Sequence, residues 1–304
     1  MTTEEMAALA KSLTNWGRWG EEDERGTLNH LTPVEAKAAA ALVATGRTVS
    51  LARDFPVTPG PENPWPAQHH MVIAGDDPCI PQVPGLEVST DYIGIAFHGM
   101  ASTHLDALCH VFQAGRMYND RPAAEVKSTG ARRNTVMTLK DGLAGRGVLL
   151  DVPRAHSRPF IDPEHLITVE ELERTEQVQG LTVAKGDILL VRTGRDVRRQ
   201  SLDDQKVAGL DPFVARWLHA REVAVLGGDG VHDPIPPGMI APDWPMPIHM
   251  IGLVSMGLHL LDNLDLEDLA AVCGREQRWG FLLTLAPLRI PGGTGSPLNP
   301  IAMF

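Results

Sequence analysis

FHGMASTHLDALCH, residues 97–110, sets His98, His104, Asp106 and His110 within thirteen positions. Side chains of an extended chain alternate between faces, so His98, Met100, Ser102, His104 and Asp106 would project to one side of a strand. His104 and Asp106 then stand about 6–7 Å apart, close enough to share a metal once their side chains converge. An imidazole beside a carboxylate suits Zn or Mn. On a straight strand His98 would lie about 20 Å from His104, and only a bulge or turn at Gly99 could bring it back. Cys109 beside His110 is a nucleophile and base in composition only, because adjacent residues of extended chain face opposite ways.

Around this segment, strand and helix signals mix. GVLLDV (147–152), DILLVRT (187–193), VAVLGG (223–228) and WGFLLTLAPL (279–288) are short apolar runs bounded by glycine or charge, as buried strands are. Thr32-Pro33-Val34-Glu35 offers a capping hydroxyl, Pro at the first helical position and a capping-box Glu, with Gly46 closing the run. Thr168-Val169-Glu170-Glu171, ending near Gly180, repeats that logic; Asp211-Pro212 opens a third helix through Trp217 and Leu218, and Asp265 with Asp268 a short fourth. The mixture predicts one α/β or α+β domain. The stretch Pro56–Pro66 and PIPPGMIAPDWPMP (234–247) read as long loops of the kind that carry function. IHMIGLVSMG (248–257), apolar all round, reads as a buried helix that begins beside His249. GGDG (227–230) lacks the third glycine of a dinucleotide fingerprint and reads as a tight turn at a strand end; whether His232 and Asp233 after it belong to the turn or to a site is undecided.

Composition narrows the function. A formal charge of −11 over 304 residues disfavours a nucleic-acid surface, which needs clustered Lys and Arg, and favours a small-molecule partner. The amino-terminal segment has neither the basic start nor the apolar run of a signal peptide, and no window approaches ~18 uninterrupted apolar residues, so a cytoplasmic protein without membrane attachment is expected. Cys79, Cys109 and Cys273 are too scattered for a disulfide framework or a CxxC site and are expected to be idle or buried thiols.

THLDALCH (103–110) resembles the signature HxGTHxDxPxH of the cyclase family, which includes kynurenine formamidase and isatin hydrolase. NWGRWGEEDERGTLNHLTP (15–33) resembles the amino-terminal segment of its longer members, RGVLLDV and GDILLVRTG two of its strands, and HMIGLVSMGLHLLDNLDLEDL (249–269) its carboxyl-terminal motif. The resemblance implies an α/β fold of the swivelling β/β/α type, with residues 1–304 as one domain and an amino-terminal extension at about 1–47, assembled as a dimer or tetramer. It implies a divalent metal, Zn or Mn, on His104, Asp106, His249 and Asp262, with His110 as general acid/base. Trp65 corresponds to an aromatic covering the substrate, and Asp229 to a residue lining the site. The implied reaction is opening of a cyclic amide or lactone, or cleavage of an aryl formamide, by metal-held water; the alternative is a metal-poor relative that binds or isomerises a small molecule. Two positions depart from the family pattern: its first signature His falls on Met100, and its carboxyl-terminal Glu is Asp262. A thioether is a poor ligand for a hard ion, so a replacement nitrogen would come from His98, through a kink at Gly99, or from His69 or His70; alternatively none is recruited.

Overall fold

The four apolar runs become neighbours in one nine-stranded sheet. The computed structural model describes residues 1–77, 83, 85–201 and 206–304. In chain order the sheet strands are β1 (Thr48–Ser50), β2 (His104–Asp106), β3 (Leu143–Asp151), β4 (Ile188–Arg192), β5 (Val225–Gly228), β6 (His259–Asp262), β7 (Gly280–Leu285), β8 (Gly295–Pro297) and β9 (Ile301–Met303). Their spatial order is β1-β9-β7-β3-β4-β5-β6-β2-β8. Strands β3, β4, β5 and β6 run parallel, and the remaining pairs at both ends are antiparallel. Parallel strands covered on both faces need apolar residues at every position, which is why these runs are continuous and not alternating.

The two faces feed two cores. Val148, Leu150, Leu189, Val191, Leu226 and Leu260 pack into one; Leu149, Ile188, Leu190, Val225, Leu261 and Leu105 pack into the other. The first face is covered by helices α1 (Thr3–Ser12), α3 (Val169–Gln179) and α5 (Val214–Ala220) and by α6 (Pro247–His249), which continues as a π-helical segment, Met250–Met256. The second is covered by α7 (Glu267–Glu276) and the chain end at Phe304. Helix α2 (Pro33–Ala40) has the expected capping box from Thr32 and Glu35, and α3 has one from Thr168 and Glu171, with Gly180 left-handed at its end.

Three expectations shift. The helix opened by Asp211-Pro212 begins regular winding only at Val214, and the one near Asp265 runs for 10 residues. Helix α1 lies outside the expected set although a Thr2–Glu5 capping box and buried Met6, Leu9, Ala10 and Leu13 at helical spacing announce it, and α4 (Arg195–Ser201) has no such pattern. Cys109 and Cys273 are buried free thiols, each pushed up to about 12 by burial; Cys79 lies outside the described residues. Among the described residues no helix is long and apolar enough to cross a membrane.

Candidate metal centre

Strand β2 is only three residues long, and its pairing fixes the site. His104 lies opposite Asp262 on one side and Pro297 on the other, and Asp106 opposite Leu260 and Gly295. His104, Asp106 and Asp262 therefore share a face, alternating with Leu105 and Leu261, which belong to the opposite core. His249, at the start of the helix lying over that face, completes the group: its Nε2 is 3.5 Å from Asp106 Oδ2 and 3.3 Å from Asp262 Oδ2. His104 Nε2 is 3.4 Å from Asp106 Oδ1 and 4.0 Å from Asp262 Oδ2.

Each imidazole is oriented from behind. His104 Nδ1 donates to the Ser102 carbonyl at 2.9 Å, and because a carbonyl only accepts, the neutral ring presents Nε2 inward as its lone pair. His249 Nδ1 donates to Asp233 Oδ2 at 2.7 Å; the same carboxylate accepts the backbone N–H groups of Ile248 and His249, so Asp233 also caps the helix start. Metal-binding histidines are held in this way.

The inward atoms crowd one another without well-aligned hydrogen bonds: His98 Nδ1, both oxygens of Asp106, Oδ1 of Asp262 and His232 Nε2 are buried in ion-pair contact with one another, and none makes a bond of good geometry. Buried polar atoms left so cost about 1–3 kcal/mol each, more when charged. Ligands bound at 2.0–2.1 Å to a common ion stand about 3.0 Å (octahedral) to 3.4 Å (tetrahedral) apart; the 3.3, 3.4 and 3.5 Å separations fall at or near that range, and the 4.0 Å from His104 to Asp262 is wider. The donor set, imidazole nitrogens with carboxylate oxygens, fits a divalent ion, and His104, Asp106 and Asp262 each bring one ligand atom within 4.8 Å of the others.

Without an ion, the two carboxylates draw positive charge onto the imidazoles around them. Burial opposes charge on His104, yet the hydrogen bond and charge of Asp106, aided by Asp262, raise it to about 8. His249 is likewise raised against burial by Asp262, Asp106 and Asp233. Burial works against ionised Asp106 and Asp262, but the surrounding histidines hold both below the usual carboxylate range.

The signature segment is not a straight strand. Residues 98–102 turn, with Gly99 at φ 125°, and the rings of His98 and His104 come within 5.2 Å. Asn263 Nδ2 donates to the carbonyls of Gly99 and Ser102, and Arg195 to that of Met100, pinning the turn. His98 Nδ1 then lies 2.9 Å from Asp106 Oδ1, and its ring stacks on His110 at 3.7 Å. His110 Nε2 is 4.0 Å from Asp106 Oδ1. Burial, reinforced by His98, His249 and His104, lowers His110 to about 4 against the pull of Asp106. A neutral His110 at pH 7 can accept a proton.

Other candidates fall elsewhere. His69 pairs with Asp91 and His70 packs on Tyr92, in an exposed two-stranded hairpin of Gln68–Ile73 and Thr90–Gly94. Asp229 does not line the site: its carboxylate accepts the N–H groups of Thr193, Gly194 and Arg195, anchoring the start of α4. Trp65 is 74% exposed, at the edge of a cavity of about 200 Å³ lined also by Pro64, Phe97, His98 and Met100. Asp233 and His232, which the sequence left undecided, both reach the site. A turn residue before a Pro-rich loop has no period to reveal which way it points.

A family model described as "Putative cyclase" matches residues 48–232. A solved structure of a novel cyclase is 33% identical, with 96% of this chain and 100% of that chain covered and a TM-score of 0.85. Isatin hydrolase A from Ralstonia solanacearum is 22% identical, over 89% and 97% of the two chains, with a TM-score of 0.58. An isatin hydrolase bound to the product analogue thioisatinate is 19% identical, over 88% and 95%, at 0.57. These last two likenesses concern the fold. No curated protein matches.

Proposed function

The chain belongs to the cyclase family, and on that premise we propose that it is a metal-dependent hydrolase that opens a cyclic amide or lactone, or cleaves an aryl formamide. The observation that carries this reading is the convergence of His104, Asp106, His249 and Asp262, two imidazoles and two buried carboxylates packed without well-aligned hydrogen bonds to one another. Two imidazoles and two carboxylates suit Zn or Mn. His104, Asp106, His249 and Asp262 would hold the ion, which would supply Lewis acidity toward a carbonyl oxygen and lower the pKa of a water toward ~7.

The chain's own residues account for the rest. His110 Nε2, uncharged near pH 7 and at the rim of the cluster, takes a proton from the attacking water and returns it to the leaving nitrogen or oxygen. His98, stacked on His110 and within 3.0 Å of Thr294 Oγ1, holds that ring in place. The cavity beside His98, with Trp65, Phe97 and Met100 on its walls, is suited to a flat, largely apolar substrate body. Assembly as a homo-oligomer belongs to the same proposal.

The experiment is a hydrolysis panel of lactams, lactones and N-formyl anilines, run on chelator-stripped protein reloaded with Zn or Mn. Turnover that appears with metal and vanishes with chelator is expected. Stoichiometric metal binding without turnover of any member would refute hydrolysis and favour binding or isomerisation of a small molecule.

A further inference from the structure

We propose that His232 is a further metal ligand in this chain, entering the cluster beside Asp262. The inference rests on the metal-dependent reading above and extends it to a residue outside the set that the sequence suggested. His232 follows β5 and is 5% exposed. Its Nε2 lies 3.3 Å from Asp262 Oδ1, and neither atom has a hydrogen-bond partner. The pair is in ion-pair contact but makes no well-aligned hydrogen bond, and a divalent ion between the two atoms would satisfy both. Their separation falls within the edge length of a tetrahedron drawn around an ion with bonds of 2.0–2.1 Å, about 3.3–3.4 Å. The opposite oxygen of Asp262 faces His249 at the same distance, so the carboxylate presents one oxygen to each imidazole.

Two backbone features point the same way. His232 has φ 60°, a left-handed conformation that costs a residue bearing a Cβ about 1–3 kcal/mol and persists where the surroundings enforce it. Here the enforcement is visible: the His232 carbonyl accepts from Leu210 N at 2.8 Å, and the carbonyl of Gly230 accepts from Asn263 N at 2.9 Å. The ring lies against Gly228, where a Cβ would come within 3.1 Å of His232 Cε1 and 3.3 Å of Nδ1. Strand β5 thus ends on a residue small enough to admit the imidazole, and the chain bends unfavourably to aim it. A histidine serving only to fill a turn needs neither.

The test uses His232→Gly, because glycine adopts the left-handed backbone freely and the deleted ring leaves a space for free imidazole. Zn affinity of the full-length variant is measured by chelator competition, and the number of bound imidazoles by X-ray absorption at the Zn edge, with His104→Ala as reference. Expected are an affinity loss of about 100-fold or more, beyond the 10–100-fold usual for residues that merely orient a ligand. One imidazole should disappear from the Zn shell, and both changes should reverse on adding imidazole. His232→Asn, which also tolerates this backbone, should behave as the glycine variant does without rescue. If affinity falls but the imidazole count does not, or if neither changes while His104→Ala loses its metal, His232 is not a ligand and the proposal is overturned. If His104→Ala also keeps full affinity, the metal-dependent reading itself fails.

Discussion

Asp233 offers the sharpest test of how the centre is held. Its buried carboxylate accepts three hydrogen bonds: from Ile248 N at 2.8 Å, His249 N at 3.1 Å and His249 Nδ1 at 2.7 Å. Asp233→Ala strands two backbone donors at the start of a buried helix and frees the His249 ring. At about 1–3 kcal/mol per stranded donor, the metal-free protein should lose on the order of 3 kcal/mol, read by urea unfolding. Loss of ring orientation should weaken Zn binding about 10–100-fold, read by chelator competition. Asp233→Asn separates the two effects. With its single oxygen at the Oδ2 position it keeps both His249 bonds and turns its amide toward Ile248 N, so stability should fall by about half as much and metal affinity should largely survive. If Asp233→Ala loses the predicted stability yet binds Zn within twofold of the parent, Asp233 holds only the helix and the orientation argument is wrong.

Three further outcomes are expected. His104→Ala should abolish stoichiometric metal by elemental analysis, and an unchanged content would remove His104 from the ligand set. His110→Ala should keep the metal while turnover drops about 100-fold or more; equal loss of metal would make it a ligand instead. His259 is fully buried with neither ring nitrogen bonded, and burial lowers it from 6.5 to about 3. Because its folded value lies below the unfolded one, its stabilising contribution is full above about pH 6.5 and is lost as pH falls toward 3, at about 1.4 kcal/mol per pH unit. Between pH 7 and 5 the metal-free parent should therefore lose about 2 kcal/mol more than His259→Leu in urea unfolding, and parallel losses would count against the assignment.

Local chemistry made much of this legible. Thr32 with Glu35 and Thr168 with Glu171 announce their helices because a capping box is written in adjacent residues. The apolar runs announce buried strands, and three of the four prove parallel, whereas WGFLLTLAPL becomes β7, antiparallel to both neighbours. Spacing alone brought His104 and Asp106 to one face, whereas His249, Asp262 and His110 needed the family resemblance, since nothing local says that residue 249 lies over residue 106. The turn that returns His98 was conceivable from Gly99, but its supports, Asn263 and Arg195, come from distant segments. Asp229 was set at the site by the family resemblance alone, yet the bare amides at the start of α4 claim its carboxylate.

The three-residue strand β2 carries a consequence for how the protein is made. Its pairing partners, β6 and β8, lie more than 150 positions downstream, so the histidine and aspartate that leave the ribosome early wait for nearly the whole chain before Asp262 and His249 can join them. Closing so long a loop is a late event, and an early ion has no cage to enter. On the proposed reading, ion capture would follow assembly of this sheet edge and would then draw the population toward the native state by mass action.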